Sequence, residues 1–162
     1  MVNMITVSCE YVLVCLANYF GAGEYPDINK EMNQMLNEII DHIHQNSNYL
    51  LQQKLGDVGY CKHVLQCCTD ERLYFETAKS LLSTGDGVWS QLMLTFMFFA
   101  KLISVKSILG MNCYAELLHT QALVKQYDIN RYIRNQSGDW KTMKKVLKMQ
   151  MNNHRHLPNS CL

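Results

Sequence analysis

Asp86-Gly87-Val88-Trp89-Ser90-Gln91-Leu92-Met93-Leu94-Thr95-Phe96-Met97-Phe98-Phe99-Ala100 is the stretch whose reading decides the fold. After the glycines there is no turn residue and no charge until Lys101. The thirteen residues 88–100 fall short of the roughly 20 apolar residues that a membrane span needs, so the stretch reads as a buried core helix. The helix is predicted to run from Trp89 to about Leu109, where Gly110-Met111-Asn112 ends it. Being hydrophobic nearly all round, it belongs at the centre of the molecule.

The flanking segments are also helical. Upstream, Asp70-Glu71 places negative charge at the start of a helix predicted to reach Ser83, with Leu73, Phe75, Ala78, Leu81 and Leu82 as its apolar residues. Residues 61–68 read as either a short helix or an irregular connection. Pro26-Asp27 opens an amphipathic helix with Ile28, Met32, Met35, Leu36, Ile39, Ile40 and Ile43 on one stripe. Asn46-Ser47-Asn48 is expected to break it, leaving a shorter helical piece over 49–55 that Gly56-Asp57-Val58-Gly59 terminates. The first helix carries Ile5, Val12, Leu13, Leu16 and Phe20, and Gly21-Ala22-Gly23 closes it. Downstream, a helix over 114–127 is expected to turn Ala115, Leu118 and Ala122 inward, with Leu117 a further candidate. A turn at Gln136-Ser137-Gly138-Asp139 precedes a last helix over 140–152. The expectation is an all-α bundle of seven or eight helices around a central hydrophobic hairpin: one domain over 1–152, then a flexible polar tail over 153–162 without a membrane anchor.

Composition agrees. A chain of 162 residues suffices for one continuous core, and 48% hydrophobic against 18% charged residues with two prolines and eight glycines favours helices. Fifteen basic against fourteen acidic side chains leave no global field to attract nucleic acid or an anionic membrane. Seven cysteines (Cys9, Cys15, Cys61, Cys67, Cys68, Cys113 and Cys161) in a chain without a secretory leader point to a reducing compartment. The odd number leaves one thiol without a partner in the monomer, so a disulfide-linked homodimer stays open.

Two stretches resemble the Bcl-2 family. Asp86-Gly87-Val88-Trp89-Ser90-Gln91-Leu92 with Phe96-Met97-Phe98 is similar to its first homology motif, Asn-Trp-Gly-Arg followed by an apolar aromatic helix. Phe75-Glu76 opens the ungapped match. Tyr132-Ile133-Arg134-Asn135-Gln136-Ser137-Gly138-Asp139-Trp140 resembles the second, in which an aromatic-Ile pair precedes a Gly-Gly-Trp helix start. Phe75, Trp89, Phe96 and Trp140 form the motif core. A BH3-type stripe, Met32, Leu36, Ile39 and Ile43 with Asp41 as its acid, lies in the second helix, although Ile40 fills a position normally held by a small residue. A competing placement at Leu55-Gly56-Asp57 has the small residue and the acid but sets Gln52 at the main apolar position. The first placement is preferred because four apolar residues match at helical spacing.

The resemblance implies a non-enzymatic survival factor without cofactor or metal, of the short virus-encoded iridoviral or poxviral type. It would act in the host-cell cytoplasm, peripheral at mitochondria through its partners. Such proteins hold the BH3 helix of a pro-apoptotic partner in a surface groove. Here the groove would be built from Ala78, Leu81, Leu82, Val88, Ser90, Gln91, Met93, Leu94 and Phe98, with Trp89 beneath it. Gln91 stands where the family has an arginine that pairs with the partner's aspartate, and Ser90 replaces a glycine. A neutral donor gives up part of a charge-assisted contact, which implies a narrow ligand set. The rival within the same fold blocks innate immune signalling as a dimer, and a closed groove would favour it.

Other signals are weaker. Cys61, His63, Cys67 and Cys68 match no standard zinc spacing. His42 and His44 lie two apart and so face different directions on a helix, and His154 and His156 lie in the tail. No nucleophile-base pair, phosphate loop or carboxylate pair has usable spacing for an enzyme. Lys141, Lys144, Lys145 and Lys148 line one face of the last helix and read as a solvated face; without interleaved aromatics, no nucleic-acid partner is expected, a basic helical nucleic-acid-associated protein being the alternative from another class.

Overall fold

The computed structural model describes residues 8–22, 30–56, 60–84, 87–129, 131, 145 and 148. These form six helices and no strand: α1 (Cys9–Ala22), α2 (Lys30–Leu55), α3 (Tyr60–Cys68), α4 (Glu71–Leu81), α5 (Val88–Ile108) and α6 (Tyr114–Gln126). The chain is all-α over the described residues. The expected last helix lies outside them, apart from Lys145 and Lys148, which are helical and exposed.

α5 is the axis, because its apolar residues leave it no polar face to turn to water. It touches α1, α2, α3, α4 and α6. Phe96, Phe98 and Phe99 are fully buried along it. Each such side chain contributes about 1.5–3 kcal/mol through burial. At 21 residues α5 is long and apolar enough to cross a membrane, yet 72% of its most apolar window is buried inside the bundle, the position of a core helix. Its end is well defined. Gly110 at φ +71° lets the Gly110 amide reach the Ser107 carbonyl at 3.1 Å and the Met111 amide the Lys106 carbonyl at 2.8 Å, a Schellman turn into α6.

Several expectations are corrected, and one left open is decided. The predicted break at Asn46-Ser47-Asn48 is absent, and α2 runs through it for 26 residues. Asn46 shares a 3.3 Å hydrogen bond with His42 one turn back, and Asn48 accepts from Lys101 Nζ at 3.4 Å, so neither side chain competes with the helix backbone. The stripe continues through Ser47, Leu50 and Leu51, all buried. The ambiguous segment 61–68 is the helix α3.

α6 is also rotated from its expected register. Leu118 and Ala122 are exposed and Ala115 and Leu117 half-buried, while Glu116, Thr120, Leu123 and Val124 face the core. The cause is an ion pair: Lys106 Nζ lies 2.7 Å from Glu116 Oε2 with side-chain exposures of 7% and 1%. A carboxylate on α6 therefore turns inward to meet an ammonium on α5, and leucine turns out. The expected hydrophobic hairpin is thus a single apolar helix joined to a mixed one, and α1 has the broader contact with α5. On α4, Tyr74, Thr77, Ala78 and Leu81 take the buried stripe, whereas Leu73 and Phe75 are only half-buried.

Candidate partner-binding groove

The groove candidates lie on two helices that pack together, α4 with its C-cap and α5. Asp70 caps α4 by accepting from the Leu73 amide at 3.0 Å, which fixes the helix start. From there Ala78 and Leu81 face α5, and Leu82 closes the helix as its C-cap. Gly87 begins α5 at φ +98°, a left-handed conformation that suits glycine. Val88, Ser90 and Gln91 lie in its first turn; beyond them Phe98 meets Tyr74 of α4, whereas Met93 lies about 140° around the helix from Phe98 and so on another face. The Gln91 amide donates to the Leu82 carbonyl, joining the two helices across the corner.

The floor is covered. Ala78, Leu81, Leu82, Met93, Leu94 and Phe98 are all 4% exposed or less, and only Val88 and Gln91 among the nine are half-buried. Most of the groove candidates are therefore buried in this structure rather than lining an open surface. The cover at Phe98 is α3. His63 lies over Phe98 with ring centroids 6.2 Å apart, and its Nε2 is 2.7 Å from Thr77 Oγ1. The Thr77 hydroxyl donates its one proton to the Leu73 carbonyl at 2.8 Å, so His63 must donate to Thr77 through an Nε2–H tautomer. Burial lowers the His63 pKa. Beneath, Tyr74 stacks on Phe98 at 5.4 Å and 7°. Thr120 donates to the Glu116 carbonyl at 2.7 Å, and Tyr74 in turn donates to Thr120 at 2.7 Å.

Not every motif residue lies in the seam. Trp89 and Phe96 are buried on α5, whereas Phe75 is half-buried with its ring edge-on to His119 at 5.3 Å. Trp140 and the rest of the second motif lie outside the described residues. In the BH3-like stripe, Leu36, Ile39 and Ile43 are buried against the core and Asp41 is exposed. Met32 lies in the same helix, its side chain outside the described set. Gly56 at φ +91° follows the last residue of α2, so the competing Leu55-Gly56-Asp57 placement falls across a helix end rather than within a helix.

Sequence reasoning missed Tyr74, Thr77 and Thr120, and weighed His63 only as a metal ligand. The first two stand at i and i+3 ahead of Ala78 and Leu81 on one stripe, a signal that a purely apolar count passes over. Nothing in local spacing pairs His63 with Thr77 or Tyr74 with Thr120. Among the described residues no group of three or more His, Cys, Asp or Glu side chains could hold a metal ion. Cys15, Cys67 and Cys68 are free thiols and buried, Cys9 is buried as well, and Cys113 is free and half-buried.

The corner between α5 and α6 has a different character. Lys106 and Glu116 spend their charges on each other, and Lys106 also donates to the Asn112 carbonyl at 3.2 Å. Ile108, Leu109, Met111, Tyr114 and Leu118 are left exposed around them. Comparison with protein-family profiles, with curated proteins and with solved structures finds no match.

Proposed function

We propose that this chain is a Bcl-2-like inhibitor of apoptosis, of the virus-encoded type, that sequesters the BH3 helix of pro-apoptotic proteins between α4 and α5 in the host-cell cytoplasm. It needs no catalytic residue or cofactor. The observation that carries the reading is the meeting of α4 with the central apolar helix α5, where Tyr74 stacks on Phe98 and the Gln91 amide bonds the Leu82 carbonyl. A nine-residue helix, α3, packs on both α4 and α5, with Val64, Cys67 and Cys68 buried in the core and His63 bonded to Thr77. A partner helix takes the place of α3 on the apolar floor, exchanging one set of apolar contacts for a longer one. The burial of Leu36, Ile39 and Ile43 supports a receiver of such helices, because donating its own would empty its core.

The closed floor favours a second reading in the same fold, a dimeric blocker of innate immune signalling that does not take up BH3 helices. Calorimetric titration of the reduced protein with a panel of pro-apoptotic BH3 peptides separates the two. Binding by one or a few peptides, lost in Val88→Glu and Leu82→Glu, supports sequestration. Val88 is half-buried, so its substitution is the safer test if Leu82→Glu unfolds the chain, which circular dichroism reports. A folded protein that binds no peptide overturns the apoptotic reading in favour of the signalling one.

A further inference from the structure

Between Lys101 and Lys125 the sequence has two charged residues, Lys106 and Glu116, and the fold turns both inward onto each other. A buried ion pair is seldom more stabilising than apolar residues of similar volume, so core stability gives no reason for a carboxylate to displace a leucine. What the exchange does produce is a surface. Ile108, Leu109, Met111, Tyr114 and Leu118 stand 86%, 56%, 38%, 74% and 64% exposed, with no charge among them. The uncharged region extends to α1, which has no charged residue from Tyr11 to Ala22 and meets this corner where the Ser107 hydroxyl donates to the Gly21 carbonyl at 2.7 Å.

The shape of the corner selects what can cover it. Residues 107–112 are all exposed and turn the chain from α5 into α6, so the corner is a convex tip and not a groove for a helix. Two such tips meeting each other touch over little area, far from the roughly 800 Å² per partner of a stable protein interface. A bilayer, in contrast, deforms around a tip. The backbone here is already closed on itself: the Leu109, Gly110 and Met111 amides bond the Val105, Ser107 and Lys106 carbonyls, and the Asn112 carbonyl accepts from Lys106 Nζ. Internal pairing of backbone groups is what a medium without water demands. Leu118 lies about 6 Å along α6 from Tyr114. That gives the tip a depth within the roughly 5–10 Å that apolar faces enter at the boundary of headgroups and acyl chains. Tyr114 adds the amphipathic ring favoured at that boundary.

We infer that the α5–α6 corner is a membrane-contact site, which docks the folded protein on a lipid surface through hydrocarbon contact and not through charge. The bundle stays intact, with α5 at its centre. The site is separate from the α4–α5 groove and does not depend on that reading.

The test is flotation of the reduced, full-length protein with large unilamellar vesicles of pure phosphatidylcholine. Wild type is expected to float equally at low and high salt, because there is no charge pair to screen. The double change Ile108→Ser with Leu109→Ser should lower the partition coefficient at least about tenfold through lost apolar burial. Both side chains are exposed, so circular dichroism should show the same fold and melting temperature, and BH3 peptide binding should match wild type. Tyr114→Trp supplies a second readout: its added emission should shift to the blue on vesicles and be quenched by lipids brominated near the headgroup. A folded protein that does not float with neutral vesicles overturns the inference. Flotation that survives the double change, or a Trp at 114 that stays in water, overturns it by placing the contact elsewhere. Flotation with anionic vesicles alone, lost at high salt, assigns the contact to exposed lysines such as Lys145 and Lys148 and overturns it too. Self-association in the ultracentrifuge that the double change abolishes, without vesicle binding, assigns the tip to a second copy of the chain instead.

Discussion

Replacing Lys106 by methionine should be among the most damaging single changes in this protein, although it puts an apolar residue into an apolar core. The Lys106 ammonium lies 2.7 Å from Glu116 Oε2, and the Glu116 side chain is 1% exposed. Glu116 Oε1 already has no hydrogen-bond partner. Lys106→Met therefore leaves a carboxylate with neither counter-ion nor water, at a cost of about 3–5 kcal/mol. For a domain of this size each kcal/mol moves the melting temperature by about 2–4 °C, so a fall of roughly 6–20 °C is expected. The Asn112 carbonyl also loses a donor, but Asn112 is exposed and water replaces it. The double change Lys106→Met with Glu116→Leu removes both charges and should recover most of the loss, ending between neutral and about 4 kcal/mol more stable than wild type. Urea denaturation followed by far-UV circular dichroism measures all three variants. A loss under about 1 kcal/mol in Lys106→Met, or a double variant no better than the single, would refute the claim that desolvation governs this pair.

Three further outcomes follow from the same structure. Burial lowers the His63 pKa from its ordinary 6.5, so the folded state disfavours the imidazolium; the stabilising contribution is complete above about 6.5 and is lost as pH falls through the lower folded value. A urea midpoint that drops on acidification in wild type and drops less in His63→Gln bears this out, and identical profiles refute it. Tyr74→Phe removes the donor to Thr120 while Thr120 keeps its bond to the Glu116 carbonyl, so a loss of only about 0.5–1.5 kcal/mol is expected by denaturation. Burial raises the Cys67 thiol pKa to about 11 and that of Cys9 further, so brief alkylation of native protein at mildly alkaline pH should spare both and, of the five described cysteines, reach half-buried Cys113 first, as peptide mass mapping will show; early labelling of Cys67 counts against the burial.

Much of the helical plan was legible because apolar spacing is a local signal. The central run over 88–100 identified α5, and the Ile39, Ile40 and Ile43 stripe identified α2. What escaped was decided across helices. Asn46-Ser47-Asn48 reads as a break in isolation, but Lys101 is more than fifty residues away in sequence and meets Asn48 only in the fold. Leu118 reads as core until Lys106 draws Glu116 inward and rotates α6. At the candidate site the residues could be named from the resemblance to a homology motif; they lie on α4, its C-cap and α5, most of them buried. That α3 packs over Phe98 could not be read from spacing, because it depends on what lies above a residue in the fold.

The bare corner at the end of α5 has a consequence for the protein as a solute. Lys106 and Glu116 face each other inside, and Ile108, Leu109, Met111, Tyr114 and Leu118 face outward. With a formal net charge of +1 and an isoelectric point near 7.6, molecules at neutral pH repel one another little at long range. Short-range attraction between apolar corners is then nearly unopposed. The second virial coefficient should be lowest close to the isoelectric point, and added salt will not raise it there, since there is little charge to screen. Concentrated solutions will keep best on the alkaline side, where charge returns and His63 stays neutral.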